Sequence, residues 1–261
     1  MNQRINNVNQ QLLDIDFDRL ISIEESFPKI KSLEQKHLSD LFAFENFILL
    51  GDPGMGKTYS FKHAAKFECA KYKTVNEFRV LKGRDCKGET IYLDGLDEYR
   101  NRNDNKELIY ELTDIVNDIE PKNIRISCRS ADWLGATDVS IFKTLFKGSY
   151  VIATLQPLTV GQQHILIKDE GISDTKAFFD KAEKHGLDNL LSNPQTLKMI
   201  TGVVKDEKWP ESKKELFELS CEKLLTEHDS NKTRSGTGRY KSVELLDAAG
   251  VICACILISN N

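Results

Sequence analysis

Four apolar residues, Phe47-Ile48-Leu49-Leu50, run directly into Gly51-Asp52-Pro53-Gly54-Met55-Gly56-Lys57-Thr58. This octapeptide matches G-x-x-x-x-G-K-[ST], a pattern whose use is to wrap backbone amides around phosphate. Its glycines let successive N–H groups turn inward, where bulky side chains would block them. A helix following the loop aims its positive end at the same anion. Lys57 is then placed to reach the β- and γ-phosphates, and the Thr58 hydroxyl to ligate Mg²⁺. The pattern needs a strand before it and a helix after it, and both are readable. The apolar run stopped by glycine reads as a buried strand, and Phe61, Ala64, Ala65, Cys69 and Tyr72 fall on one helical face.

The same alternation continues along the chain. Strands are expected near Phe78–Leu81, Thr90–Leu93, Ile124–Ser127 and Tyr150–Ala153, with a helix marked by Leu108, Leu112, Ile115 and Ile119. Strands alternating with helices imply a mainly parallel, doubly wound α/β sheet covered on both faces. Four regions are expected. Residues 1–40 form an N-terminal segment, its first sixteen residues Asn/Gln-rich and loosely ordered, the rest near-helical until Pro28 interrupts. Residues 41–158 form the nucleotide core, and 159–228 a small helical subdomain in which Asn193-Pro194 reads as an N-cap followed by proline in the first turn. Residues 229–261 are a polar connection followed by an apolar helix, Ser242 to Ile258, which needs a partner. Truncation of a longer protein is favoured over that helix packing back on the chain.

A second chemical element is Ile91-Tyr92-Leu93-Asp94-Gly95-Leu96-Asp97-Glu98. Ligands of open parallel sheets gather beyond the carboxyl ends of the strands, so a strand delivering Asp94 there suits a Mg²⁺ ligand, direct or through water. Asp97 and Glu98 follow closely, where a carboxylate can polarise an attacking water. Sequence alone does not choose between them, although Glu98 is preferred.

The Asp94-Gly95-Leu96-Asp97-Glu98 run resembles the extended Walker B element of the NACHT family, in the STAND class of signal-transducing NTPases. Ile126-Ser127-Cys128-Arg129 is similar to the family's sensor-1 strand. Leu155-Gln156-Pro157-Leu158-Thr159 is similar to the segment leading into its helical subdomain, and Leu191-Ser192-Asn193-Pro194 to the element whose proline packs against adenine. The resemblance covers about residues 40–225. It implies a P-loop NTPase core with ATP/ADP and Mg²⁺ as cofactors. Gly51, Asp52, Pro53, Gly54, Met55, Gly56, Lys57, Thr58, Tyr59 and Pro194 would contact nucleotide. Thr58 and Asp94 would hold the metal, and Lys57, Asp97, Glu98 and Arg129 would serve the reaction, Arg129 facing the γ-phosphate. It further implies slow ATP hydrolysis, a nucleotide-dependent switch, homo-oligomerisation of the ATP-bound full-length protein, and a role in innate or antiphage (antiviral) defence. The interval from the loop to Asp94 is short for that family, and effector and sensor domains are missing from this chain.

Two rivals remain. One is a binding or scaffold module that holds nucleotide without significant turnover. The other is a mechanochemical AAA-like ATPase, disfavoured because Gly95 separates the metal aspartate from the later acids. No guanine-reading N-K-x-D occurs in the sequence, which favours ATP. With 36 basic and 40 acidic residues, charge gives no direct evidence for nucleic acid. Neither a signal peptide nor an apolar run of membrane-spanning length is present in this sequence. The six cysteines form no C-x-x-C pair, and the histidines near them lack zinc spacing, so a reducing, cytoplasmic setting is expected. Cys253-Ala-Cys255 reads as helix core, Trp133 as an anchor for the loop after its strand, and 205–214 as a solvated loop.

Overall fold

The computed structural model describes residues 18–29, 36–100, 107–146, 148–205, 209–212 and 214–221. The expected loose segment 1–16, the connection 229–242, the helix Ser242 to Ile258 and the Cys253/Cys255 pair lie outside these. The chain divides into two compact units: residues up to Gln162 together with Asn193–Gln195, and Gln163–Ser192 with the residues from Thr196 on.

The first unit is built on one seven-stranded sheet. Its strands are β1 (Leu20–Phe27), β2 (Lys36–His37), β3 (Asn46–Leu50), β4 (Lys71–Thr74), β5 (Thr90–Asp94), β6 (Asn123–Cys128) and β7 (Tyr150–Leu155). They lie in the order β2-β1-β7-β3-β6-β5-β4. From β7 to β4 every pairing is parallel, while β1 runs antiparallel to both β7 and β2. The helices are α1 (Lys57–Phe67), α2 (Val75–Val80), α3 (Leu96–Arg100), α4 (Glu107–Ile119) and α5 (Ala136–Leu145). α6 (Val160–Asp169) opens at the end of this unit.

Alternation along the central strands explains why they read as unbroken apolar runs. Phe47 and Leu49 of β3 join Phe61, Ala64 and Ala65 of α1 in one core. Ile48 and Leu50 join the apolar faces of α4 and α5 in the other. A parallel strand buried on both faces keeps no polar side to show. On the α1 face, the rings of Phe47, Phe61 and Tyr92 meet edge-on, with centroids 5.2–6.0 Å apart. The same face carries a buried charge. Arg125 of β6 lies 4.7 Å above the Phe47 ring and 3.3 Å from Glu68, whose other oxygen accepts the Tyr92 hydroxyl. Pairing of this kind offsets the cost of removing a guanidinium from water.

Three expectations are corrected. Leu20–Phe27 is a strand, not part of a helix, and belongs to the same sheet as the nucleotide core rather than to a separate N-terminal segment. Ile21 is fully buried while the rest of β1 is mixed, and that irregular apolar spacing imitates a helical one. The strand expected at Phe78–Leu81 is helical, and the strand of that region is Lys71–Thr74. Thr74 starts α2 as a capping box: its hydroxyl accepts the Glu77 N–H (3.2 Å) and Glu77 accepts the Thr74 N–H (3.0 Å). β4 lies at the sheet edge, so Lys-Tyr-Lys-Thr needs no apolar run. The α1 face also ends earlier than expected, with Cys69 exposed beyond the helix and Tyr72 already in β4.

The second unit contains the remainder of α6, α7 (Thr175–Lys184), a short 3₁₀ turn (Asp188–Leu190), the body of α8 (Pro194–Val204) and helical residues 214–221. Phe178, Ala182, Leu187, Leu197, Ile200 and Leu216 are buried, and the His164 ring meets that of Phe179 at a tilt of 56°, with centroids 4.6 Å apart. Lys205, at the start of the stretch read as solvated, pairs with Glu170 at 2.7 Å.

Thr74→Ala removes the cap that begins α2, and urea unfolding is expected to show a loss of about 1 kcal/mol; unchanged stability would contradict the capping box.

Candidate nucleotide-binding site

Parallel register brings the chemical residues to one edge of the sheet. Leu50 is level with Cys128, so the loop from Gly51 and the residue Arg129 leave the sheet side by side. Leu93 is level with Ile126, which sets Asp94 beside Ser127. The strand β6 therefore stands between the glycine-rich loop and the acidic element.

Gly54 and Gly56 adopt positive φ, +77° and +90°, where side chains are strained. At Gly54 space matters as well: a Cβ would lie 2.5 Å from Gln195 Oε1 and 2.8 Å from Asn193 Oδ1. Gly56 precedes α1, so Lys57 and Thr58 occupy its first turn. Lys57 Nζ donates to the carbonyls of Gly51 (2.5 Å) and Asp52 (3.1 Å), folding back across the loop mouth. Burial pushes the Lys57 ammonium below the ordinary lysine value, with nearby Asp97 opposing that shift. Thr58 is exposed on the first turn, and Tyr59 stacks on His63 with centroids 6.1 Å apart.

Asp94 is 7% exposed, and both its oxygens accept hydrogen bonds: one from the Ser127 hydroxyl, the other from Tyr72 OH at 2.9 Å. The two hydroxyl donors fix the orientation of the carboxylate. Burial first, and then the Asp94 charge, push the Tyr72 hydroxyl's pKa upward, so it stays a donor. Ser127 Oγ also accepts the Gly95 N–H at 3.0 Å.

Asp97 is 3% exposed and committed to Arg129, with 2.7 Å to Nε and 3.1 Å from the backbone N–H. Glu98 is exposed on the next position of α3. The two acids left open by sequence thus differ in setting: one is a buried partner of Arg129, the other faces solvent. Trp133 stacks on Phe142 at 5.7 Å and anchors its loop to the core.

Asn193-Pro194-Gln195 also belongs to this unit. Asn193 Oδ1 accepts the Gln195 N–H at 2.9 Å, the N-cap arrangement expected before Pro194. Its Nδ2 donates 3.0 Å to Pro53 O, and the Gln195 N–H lies 3.3 Å from Gly54 O. Arg19, 2% exposed, donates to Met55 O (2.8 Å) and Gln156 O (2.6 Å). Burial pushes its pKa down to about 10, which leaves it charged at neutral pH.

Sequence reasoning did not find Arg19, Tyr72, Ser127 or the amide contacts of Asn193 and Gln195. Nothing in D-R-L-I distinguishes a buried arginine from a surface one, and Tyr72 had been assigned to the wrong element. The donor set matches what Mg²⁺ takes, one hydroxyl (Thr58) and one carboxylate (Asp94), the remaining positions going to phosphate and water. Among the described residues no cluster of three or more His, Cys, Asp or Glu forms a metal cage.

The loop, the strand order and the acidic strand end together define a P-loop NTPase fold. No family model matches the sequence, and no curated protein does. Solved structures similar to it include a DNA replication initiation factor (18% identity, 64% of this chain and 56% of that one, TM-score 0.42). Others are the Thermotoga maritima RuvB Holliday junction branch migration motor (14%, 67% and 60%, 0.40) and AMPPCP-bound DnaA from Aquifex aeolicus (15%, 76% and 69%, 0.40). The chain spans a little over half the length of the first of these. No helix among the described residues is long and apolar enough to cross a membrane.

Gly54→Ala adds a side chain to a left-handed residue, costing about 1–2 kcal/mol in backbone strain alone, and drives its Cβ into Asn193 and Gln195. Urea unfolding is expected to show an earlier midpoint; an unchanged one would refute this loop geometry.

Proposed function

We propose that the chain is an ATP-binding module that hydrolyses ATP slowly to ADP and phosphate and acts as a nucleotide-dependent switch. The observation that carries this reading is the alignment at one sheet edge of the glycine loop with Lys57 and Thr58, the buried Asp94, and the Asp97-Glu98 pair. Loop amides and Lys57 hold the phosphates by charge and hydrogen bonding, which is the main form of help a transferring phosphoryl group needs. Thr58 and Asp94 would hold Mg²⁺, which when bound neutralises phosphate charge. Glu98 orients and polarises the attacking water, since Asp97 is engaged by Arg129. Pro194, 3.8 Å from the position a Gly56 Cβ would take, lies where it can border the nucleotide.

The NACHT/STAND assignment rests on the resemblance of Asp94–Glu98, Ile126–Arg129 and Leu191–Pro194 to that family's elements. With it come homo-oligomerisation of an ATP-bound longer protein, effector or sensor domains elsewhere in that protein, a cytoplasmic setting, and a part in innate or antiphage defence. These biological roles follow by analogy alone. One observation favours the binding-module alternative: Asp97 is engaged by Arg129 through Nε and the backbone N–H, which leaves Glu98 as the one acid of the pair free to act on a water.

Purified protein would be denatured to identify any released nucleotide, and phosphate release assayed with Mg²⁺. Lys57→Ala is expected to lose on the order of ten- to a hundredfold in nucleotide affinity, the worth of charged hydrogen bonds. Glu98→Gln is expected to keep binding and lose about 10²–10⁴-fold in turnover. Binding without turnover in wild type would favour the switch that only binds; folded protein with no nucleotide affinity would end both readings.

A further inference from the structure

Three successive carbonyls of the phosphate loop are held from outside by donors far apart in sequence. Asn193 Nδ2 holds Pro53 O at 3.0 Å, the Gln195 N–H approaches Gly54 O at 3.3 Å, and Arg19 Nη1 holds Met55 O at 2.8 Å. A trans peptide is planar, with its C=O and the following N–H pointing in opposite directions. Fixing the carbonyls of residues 53, 54 and 55 outward therefore orients the N–H groups of Gly54, Met55 and Gly56 toward the opposite side. The Met55 N–H is drawn into a turn onto Asp52 O at 3.3 Å, while the Gly54 and Gly56 amides gain a set direction. Backbone N–H groups set to one side of a loop in this way present partial positive charge to an anion.

Arg19 adds charge to this arrangement. Its guanidinium nitrogen lies 3.4 Å from the position a Gly56 Cβ would take. The partners of its two terminal nitrogens are carbonyl oxygens, Met55 O and Gln156 O, not a carboxylate. A buried cation satisfied by neutral dipoles keeps its positive field, and in a low-dielectric setting that field acts on the adjacent loop.

Resting on the nucleotide-binding reading above, we propose that Arg19 and Asn193 are positioning residues for phosphate: they preset the loop by its carbonyls without touching the ligand. Order is thus established before binding, and the ligand is spared the cost of imposing it.

The test measures ADP affinity with Mg²⁺ by titration calorimetry on the 261-residue chain, beside melting temperature without nucleotide. Asn193→Ser keeps a neutral N-cap for α8 but lacks the amide donor. Arg19→Met removes donor and charge, whereas Arg19→Lys keeps the charge and one reachable carbonyl. Asn193→Ser is expected to weaken ADP about three- to tenfold, the worth of one hydrogen bond, with the nucleotide-free melting temperature unchanged. Arg19→Met should lose more, and Arg19→Lys should fall between it and wild type. If Arg19→Met fails to fold, Asn193→Ser and Arg19→Lys carry the comparison. Wild-type affinity retained in Asn193→Ser, or losses seen only where the melting temperature also drops, would overturn the proposal while leaving nucleotide binding intact. A wild type that binds no ADP would instead remove the reading beneath it.

Discussion

The hydrogen-bond register between β3, β6 and β5 is the constraint on which the site depends. Parallel strands share a direction, so their carboxyl ends arrive at the same sheet edge. Leu50 level with Cys128 and Leu93 level with Ile126 then decide which residues meet. A shift of one residue in β6 would turn Ser127 away from Asp94 and carry the side chains of β6 to the opposite faces of the sheet. The register is in turn secured by burial, because Phe47 and Leu49 suit one core and Ile48 and Leu50 the other. Packing along the strands and chemistry at their ends are therefore one problem with one solution.

Among the described residues two arginines, Arg19 and Arg125, are buried in this unit, and they are accommodated differently. Arg125 is paired with Glu68 beneath the Phe47 ring, so its charge is largely cancelled where it lies. Arg19 meets two carbonyl dipoles and retains its field. Each leaves its Nε without a hydrogen-bond partner, a cost that ordinary core residues avoid. At Arg125 the expense maintains packing around a central strand. At Arg19 it fixes two loops at once, one carrying Met55 and the other Gln156.

Much of the fold and part of the site were legible in the sequence, for physical reasons. Phe47–Leu50 and Tyr150–Ala153 announce themselves because strands buried on both faces are almost wholly apolar, while Thr90–Leu93 and Ile124–Ser127 stay legible through Ile91, Leu93, Ile124 and Ile126 despite Arg125 and Ser127. The phosphate loop is legible because glycine, lysine and threonine at fixed spacing answer a backbone geometry and a charge requirement together. Strands at and near the edges escaped the same reading: β4, at one edge, is polar, and β1, next to the short β2, buries too little to show a period of two. Phe78 misled because an apolar residue looks alike in a helix and a strand, and the decisive signal was Thr74 with Glu77 three residues later. The hydrogen bonds to Asp94 and to the carbonyls of Pro53, Gly54 and Met55 were invisible, since they join residues 22 to 141 positions apart.

That separation in sequence has a consequence for how the loop acquires its shape. Arg19 and Met55 are 36 positions apart, and Asn193 and Pro53 are 140. Contacts of such span carry the closure entropy of long loops, which neighbouring packing has to offset. The octapeptide emerges early during synthesis, yet its final set of anchors is complete only once residue 195 has been made and docked. The geometry of the loop is therefore a property of the nearly finished unit rather than of the octapeptide alone, and a loop set in this shape reports that the residues around it have folded.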